Sequence, residues 1–456
     1  MKNRLIQLLK SQVLVILVCT TASLWAAEDI LRIKITQGID DARPIAIVPF
    51  KFQGNNQPSQ VIDRIVAADL HRSGQFRPLS ISEMPELPTS SNDVDFKKWR
   101  SRGVEAVVTG TITELGAGNY RVTYELVDIF QGETGTKQVL RGGELIQSSS
   151  SLLLSRQATV ADASLRMYSH QVADAIFQKL TGIRGAFATR IAYVSVNKQD
   201  ANPYQLFVAD SDGYAPQRLM ASADPVMAPN WSPDARKIAY VSFENGNSEI
   251  WVQDIYTGKR RSVSKFKGIN SAPNWSPDGR TLALSLSKDG NSEVYTLDVA
   301  SNRFTRITNN SAIDTEPSWS PDGRSLIFTS NRGGRPQIYT KTLNSSARPS
   351  RITWEGSYNA GASYTSDGKS IILVHRSKGV YHIARMEIAT RTMHILTDTR
   401  LDESPSIAPN GSMIIYSTLY RDRQVLAAVS IDGRFKARLP SSKGGVRAPA
   451  WSPYLN

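Results

Sequence analysis

The chain of 456 residues holds one cysteine, Cys19, and five histidines. A single thiol forms no intrachain disulfide, so any fold must rest on packed cores. There is no apolar run long enough for a lasting membrane-spanning helix. Catalytic signatures are missing as well: no G-x-S-x-G elbow, no H-E-x-x-H and no G-x-x-x-x-G-K phosphate loop. Asp367-Gly368-Lys369-Ser370 ends like a phosphate loop, but Ser363 stands where its first glycine belongs. The histidines are spread too irregularly for a ligand set, with His71 and His170 on expected helices and His375, His382 and His394 along expected strands and loops. Charge is unbalanced but not clustered. Lys and Arg number 54 against 41 Asp and Glu, a net charge of +13. Basic residues interleaved with acidic ones fit acidic partner proteins or an anionic envelope surface better than nucleic acid, with a solvated surface that has no charge-specific partner as the plain alternative.

What is present begins with an export signal. Lys2, Arg4 and Lys10 precede an apolar stretch at 13–18, and Leu24-Trp25-Ala26 offers a small-residue cleavage site. The expectation is a leader over 1–26, cleaved after Ala26 or Ala27. Cys19 lies within it, and Val18 before it fits a lipoprotein signal poorly, so the exported chain has no cysteine and no lipid anchor.

The strongest pattern is a repeat. Trp231-Ser232-Pro233-Asp234, Trp275-Ser276-Pro277-Asp278-Gly279 and Trp319-Ser320-Pro321-Asp322-Gly323 recur every 44 residues. Weaker copies continue at Tyr364-Thr365-Ser366-Asp367-Gly368 and Ile407-Ala408-Pro409-Asn410-Gly411, and the series ends at Trp451-Ser452-Pro453. Within each period lie short β-branched and aromatic runs bounded by turn residues, the signature of four-stranded propeller blades. Ser-Pro-Asp-Gly suits a type I turn closing a hairpin, so the Asp reads as a turn residue and the Trp as packing between blades. Residues 191–220 supply three strands with no Trp strand before them, whereas Trp451 stands almost at the end. Joining the two gives six blades, the last one split, and removes both free edges.

Before the repeats the pattern is mixed α/β. Strands are expected at 30–36 and 44–50, helices at 60–72 (with Gly74 as its C-cap) and 94–101, and a hairpin over 104–129. A further strand at 137–146 should extend the sheet, followed by a long helix over 154–180. The organisation is therefore two-domain: a leader (1–26), an N-terminal α/β domain (27–182) and a six-bladed β-propeller with a split closing blade (183–456). Residues 182–185 are the expected hinge.

Several segments together resemble the TolB family of periplasmic propeller proteins of the Tol-Pal system. They include Arg43-Pro44-Ile45-Ala46-Ile47-Val48-Pro49-Phe50, Lys179-Leu180-Thr181-Gly182-Ile183-Arg184-Gly185-Ala186-Phe187 and Arg351-Ile352-Thr353-Trp354-Glu355-Gly356-Ser357. The runs at 402–411 and 432–440 and the ending Pro449-Ala450-Trp451-Ser452-Pro453-Tyr454-Leu455 complete the likeness, which covers the whole chain. The resemblance implies a non-enzymatic scaffold, with no cofactor or metal, that binds the lipoprotein Pal through the propeller and TolA through the N-terminal segment. It would maintain outer-membrane integrity and support envelope constriction at cell division. Carried over by position, the Pal contacts would be Asn270, Ala272, Thr315 and Glu316, and the TolA contacts Asp29, Ile30, Leu31, Arg32, Ile33, Lys34 and Ile35. Ile269 is a departure, since a family relative carries histidine there. The protein would be periplasmic, peripheral to the membranes and monomeric before binding.

The residues agree with that assignment on their own terms. The loops leading into the Trp strands, at 223–227, 269–272, 313–316, 358–362, 401–403 and 446–447, converge on one mouth of the channel, and Ile30, Ile33 and Ile35 interleaved with Arg32 and Lys34 suit main-chain pairing with a partner's sheet edge. Docking on its own domain is the plain alternative for that strand, and both states in turn would make a switch. The competing class is a propeller that binds or hydrolyses a small envelope glycan or peptide in its channel.

Overall fold

The computed structural model describes residues 31, 33–131, 136–141, 144–149, 151–439, 441 and 444–455. The leader at 1–26 and the binding-segment residues Asp29, Ile30 and Arg32 lie outside them. Among the described residues no helix is long and apolar enough to cross a membrane.

Among the described residues strand β1 (Lys34–Gln37) comes first, and β2 (Arg43–Ile47) and β3 (Lys51–Gln53) follow. Helix α1 (Ile62–Arg72), β4 (Phe76–Pro78) and α2 (Phe96–Arg100) lead to the long pair β5 (Ala106–Gly116) and β6 (Asn119–Asp128). After β7 (Thr136–Arg141), β8 (Glu144–Ser149) and β9 (Leu152–Ala161), α3 (Leu165–Thr181) closes the unit. The sheet order is β4-β2-β5-β6-β9, with β3 beside β5. Both faces are covered. Ile45 and Ile47 of β2 pack with α1 and α3, whereas Ala46 and Val48 pack with Trp99 and Val104, so this strand reads as a continuous apolar run. The α1 helix buries Ile62, Val66 and Leu70. Asp95 caps α2 through the Lys97 and Lys98 N–H groups, and Gly182 ends α3 at φ 77°.

Three expectations are corrected here. The segment at 137–146 does not extend the sheet, because β7 and β8 pair only with each other. Residues 152–161 are a strand along β6, not the start of a long helix. The Leu-rich run there supports either period, and pairing with β6 decides it, with Val160 buried in the core. Finally, β1 does not join the α/β sheet that follows it in the chain. It pairs antiparallel with Lys436–Leu439 of the propeller, Ile35 opposite Ala437. Leu31, Ile33 and Ile35 pack into a cluster with Phe435, Ala437 and Leu439. Apolar burial on a waiting sheet edge outweighs chain proximity.

The propeller has six blades. Blades 1 to 5 start with inner strands Val226–Trp231, Asn270–Trp275, Asp314–Trp319, Asn359–Tyr364 and Arg400–Ile407. Blade 6 is split as expected: Gly445–Trp451 pairs with Arg190–Val196, and Tyr204–Asp210 and Gln217–Ser222 follow. The Ser-Pro-Asp turns are built as expected, with Gly279 N–H on Ser276 O at 2.9 Å and Gly323 N–H on Ser320 O at 2.9 Å. Their aspartates accept the preceding serine hydroxyl and the N–H two residues on. At the expected hinge, Asp174 of α3 accepts the Phe187 N–H at 2.7 Å and the Ala188 N–H at 3.2 Å. A Cβ on Gly185 would lie 2.3 Å from the Asp174 Oδ1, so only glycine permits this approach.

Candidate functional site

Each inner strand carries a bulge at the same height. In blade 1, Met227 faces Val241 and Asn230 faces Ala239, leaving two residues against one, and the other blades also slip there. The bulged residues Ala228, Ala272, Glu316, Gly361, Ser404 and Ala448 have φ between 48° and 59°. All but Gly361 precede a proline. A positive φ is strained for residues with a Cβ, so it persists only where the surrounding sheet holds it. These residues line a channel cavity of about 340 Å³.

Glu316 is the one charged side chain in that ring of small residues. Its Oε2 accepts the Thr329 hydroxyl at 2.8 Å and the Gly361 N–H at 2.8 Å, linking blades 3 and 4. Ala272 lines the same channel from blade 2, and half-buried Thr315 pairs with Thr329 beside Glu316. Asn270 is different. Its side chain is fully buried, accepting from the Ser264 hydroxyl at 2.7 Å and the Phe266 N–H at 3.0 Å while donating to Phe266 O. It acts by fixing the loop in front of Ala272.

That loop chemistry repeats around the mouth. Asp314, Asn359 and Asp402 occupy the position of Asn270 and are also buried. Asp314 pairs with Arg332, and Asn359 bonds His375 and Gln337 at 2.8 Å each. Asp402 accepts the Thr399 and Thr418 hydroxyls at 2.7 and 2.6 Å, and burial pushes its carboxyl up despite these donors. The residue just before each stands outward: Ile269 is 49 % exposed, Ile313 52 % and Leu401 53 %. Tyr358, the equivalent in blade 4, packs edge-on against Tyr381 at 5.2 Å. Three large aliphatic side chains are thus held in water by loops whose polar neighbours are locked underneath. Exposed apolar residues on rigid loops suit protein contact. The sequence nominates the loops that begin at Ile313, Tyr358 and Leu401, but not these outward side chains as their contact positions. The signal was there, an apolar residue directly before the Asn or Asp that opens each inner strand.

The N-terminal segment lies elsewhere, on the outer edge of blade 5. Leu31 is buried and bridges Ser441, Ile33 and Ile35 face the propeller, and Lys34 points to solvent. Leu31, Ile33, Lys34 and Ile35 therefore lie on a different surface of the propeller from the channel mouth.

A closed ring of six blades, an α/β unit in front of it and an apolar rim on a bulged channel mouth define a two-unit β-propeller protein. The model of the TolB β-propeller domain matches residues 177–455, and that of the TolB amino-terminal domain matches 31–134. The Tol-Pal system protein TolB of Hamiltonella defensa is 52 % identical over 425 residues, spanning 93 % of this chain and 95 % of that protein. The same protein of Xanthomonas oryzae is 54 % identical over 428 residues, covering 93 % of each. The crystal structure of TolB from Acinetobacter baumannii superposes with a TM-score of 0.83 at 41 % identity, over 93 % of this chain and all of that one. The chain belongs to the TolB family, and its role lies in the Tol-Pal system.

Proposed function

We propose that the protein is a non-catalytic periplasmic scaffold of the Tol-Pal system, binding Pal at the propeller mouth and TolA through its N-terminal segment. In this reading 1–26 is the leader, 27–182 the α/β domain and 183–456 the propeller. Ala272, Thr315 and Glu316 contact Pal, and Asn270 holds their loop. Residues 29–35 carry the TolA contacts. By joining the two partners the protein maintains outer-membrane integrity and supports constriction at division.

The observation that carries the reading is the rim of Ile269, Ile313 and Leu401, roughly half exposed on loops locked from below. Docking of β1 on blade 5 adds a condition: one main-chain edge of 34–37 and the apolar face of Ile33 and Ile35 are taken by the propeller, so TolA gains both only after the strand leaves its edge. Calorimetric titration of the purified protein with the soluble domain of Pal tests the reading. One-to-one binding weakened at least tenfold by Thr315→Arg, with an unchanged melting transition, supports it. Absence of binding at low and moderate salt rejects it and favours a small ligand in the channel.

A further inference from the structure

The α/β unit meets the propeller through a buried charged cluster that the channel mouth does not use. Helices α1 and α3 face the turn after the strand Tyr204–Asp210. His170 of α3 is fully buried, with Nδ1 2.7 Å from Oδ2 of Asp69 on α1. A carboxylate only accepts here, so the proton sits on Nδ1 and Nε2 faces away from Asp69. That Nε2 has no hydrogen-bond partner. One ligand atom each from His170, Asp210 and Asp212 lies within 4.8 Å of the others. An imidazole whose Nδ1–H is held by a carboxylate, leaving Nε2 as its unpartnered nitrogen, is oriented as metal-binding histidines are.

Acidic groups outnumber basic ones around it. Asp69, Asp174, Asp210 and Asp212 share the cluster with the guanidinium groups of Arg72 and Arg166. Arg166 Nε donates to Asp210 Oδ2 at 3.0 Å, and its Nη2 pairs with Asp212 Oδ2. Arg72 pairs with Asp69 and lies 3.7 Å from Asp212 Oδ2. Four carboxyl groups thus face two guanidinium groups and one imidazole among largely buried side chains, a surplus of acidic oxygen ligands that a divalent cation would satisfy.

We propose that His170, Asp210 and Asp212 bind a divalent transition-metal ion, zinc first, that ties α3 to the propeller. Imidazole with two carboxylates suits zinc, whereas calcium and magnesium prefer all-oxygen sets. Arg166 engages Oδ2 of both aspartates, which leaves the Oδ1 atoms for the ion, although that of Asp212 also accepts the Tyr214 N–H at 3.1 Å. Arg166 is itself fixed over the Tyr214 ring at 3.7 Å. A tetrahedral zinc about 2.1 Å from each atom places its ligands about 3.4 Å apart, so binding draws the carboxylates inward.

The test is equilibrium dialysis of the chelator-stripped protein against zinc chloride, with metal counted per chain. The expected result is one zinc per chain, bound at least tenfold more weakly by His170→Gln and unaffected by His382→Gln. The second variant controls for a pair of imidazoles elsewhere, since His375 and His382 face each other across blade 4. Should His170→Gln not fold, Asp210→Asn decides, again with at least tenfold weaker binding expected. Cobalt substitution should give visible d–d absorption that either site variant abolishes. No stoichiometric zinc on the unaltered protein, equal binding by folded site variants, or loss through His382→Gln overturns the proposal.

Discussion

Asn230 of blade 1 accepts the backbone N–H of Trp275 in blade 2 through its side-chain Oδ1 at 2.8 Å. Asn274 does the same for Trp319 at 3.2 Å, and the Ser406 hydroxyl for Trp451 at 2.8 Å. The residue in front of Trp231, Trp275 or, in blade 5, Ile407 thus fastens the next blade's Trp, so blades are joined by directional bonds as well as by aromatic packing. Asn230→Ala leaves the Trp275 N–H without its partner and should cost about 1–2 kcal/mol of stability. Urea denaturation measures this, and an unchanged midpoint would refute the staple.

Closure of the ring gives a second prediction. The strand Gly445–Trp451 pairs with Arg190–Val196, and Trp451 Nε1 donates to the Thr189 hydroxyl at 2.8 Å. Deleting 448–456 removes the pairs of Ala450 with Ala192 and Trp451 with Ile191 and the Thr189 bond, and exposes that part of the sheet edge. The melting temperature of the whole propeller should fall by at least about 10 °C, since this far exceeds the ~1 kcal/mol that moves a large domain by a few degrees. Scanning calorimetry reads it, and retention of the original transition would contradict the closure.

Asp174 sets a pH dependence. Burial pushes its carboxyl up to about 6, against the N–H donations from Phe187 and Ala188. A raised folded pKa means the folded state holds the proton more tightly than the unfolded chain. Stability therefore falls as pH rises from about 4 through 6 and is flat above, by at most about 3 kcal/mol from this group. Asp174→Asn should flatten that segment of the stability profile. A variant profile parallel to the original would exclude Asp174 as its source.

The docked strand makes a fourth. Ala437 is buried opposite Ile35 of β1. Ala437→Arg should displace the strand without altering residues 29–35, and so raise the affinity for the soluble TolA domain several-fold. Equal affinity by calorimetry would mean that docking does not restrain the segment.

The ring and its closing blade were legible because one aromatic turn unit recurs at a nearly constant interval and the unmatched ends complete each other. The Asn230 staple was not, because its partner lies 45 residues away and nothing local marks it. Residues 154–161 were misread for a related reason: the run from Leu152-Leu153-Leu154 onward fits either period until β6 supplies a partner. The home of β1 was hidden too, since Ile33 and Ile35 announce an apolar face but not which sheet receives it. Around the mouth, the resemblance directed attention to Asn270, which is buried, while the outward side chains precede it and its counterparts.

Hydrogen exchange read by mass spectrometry, with and without the soluble domain of Pal, tests the central claim most directly. Protection should appear together at 269–272, 313–316, 358–361 and 401–404, on the mouth of the channel. Protection confined to the outer blade edges or to the α/β unit, with the mouth unchanged, would contradict it.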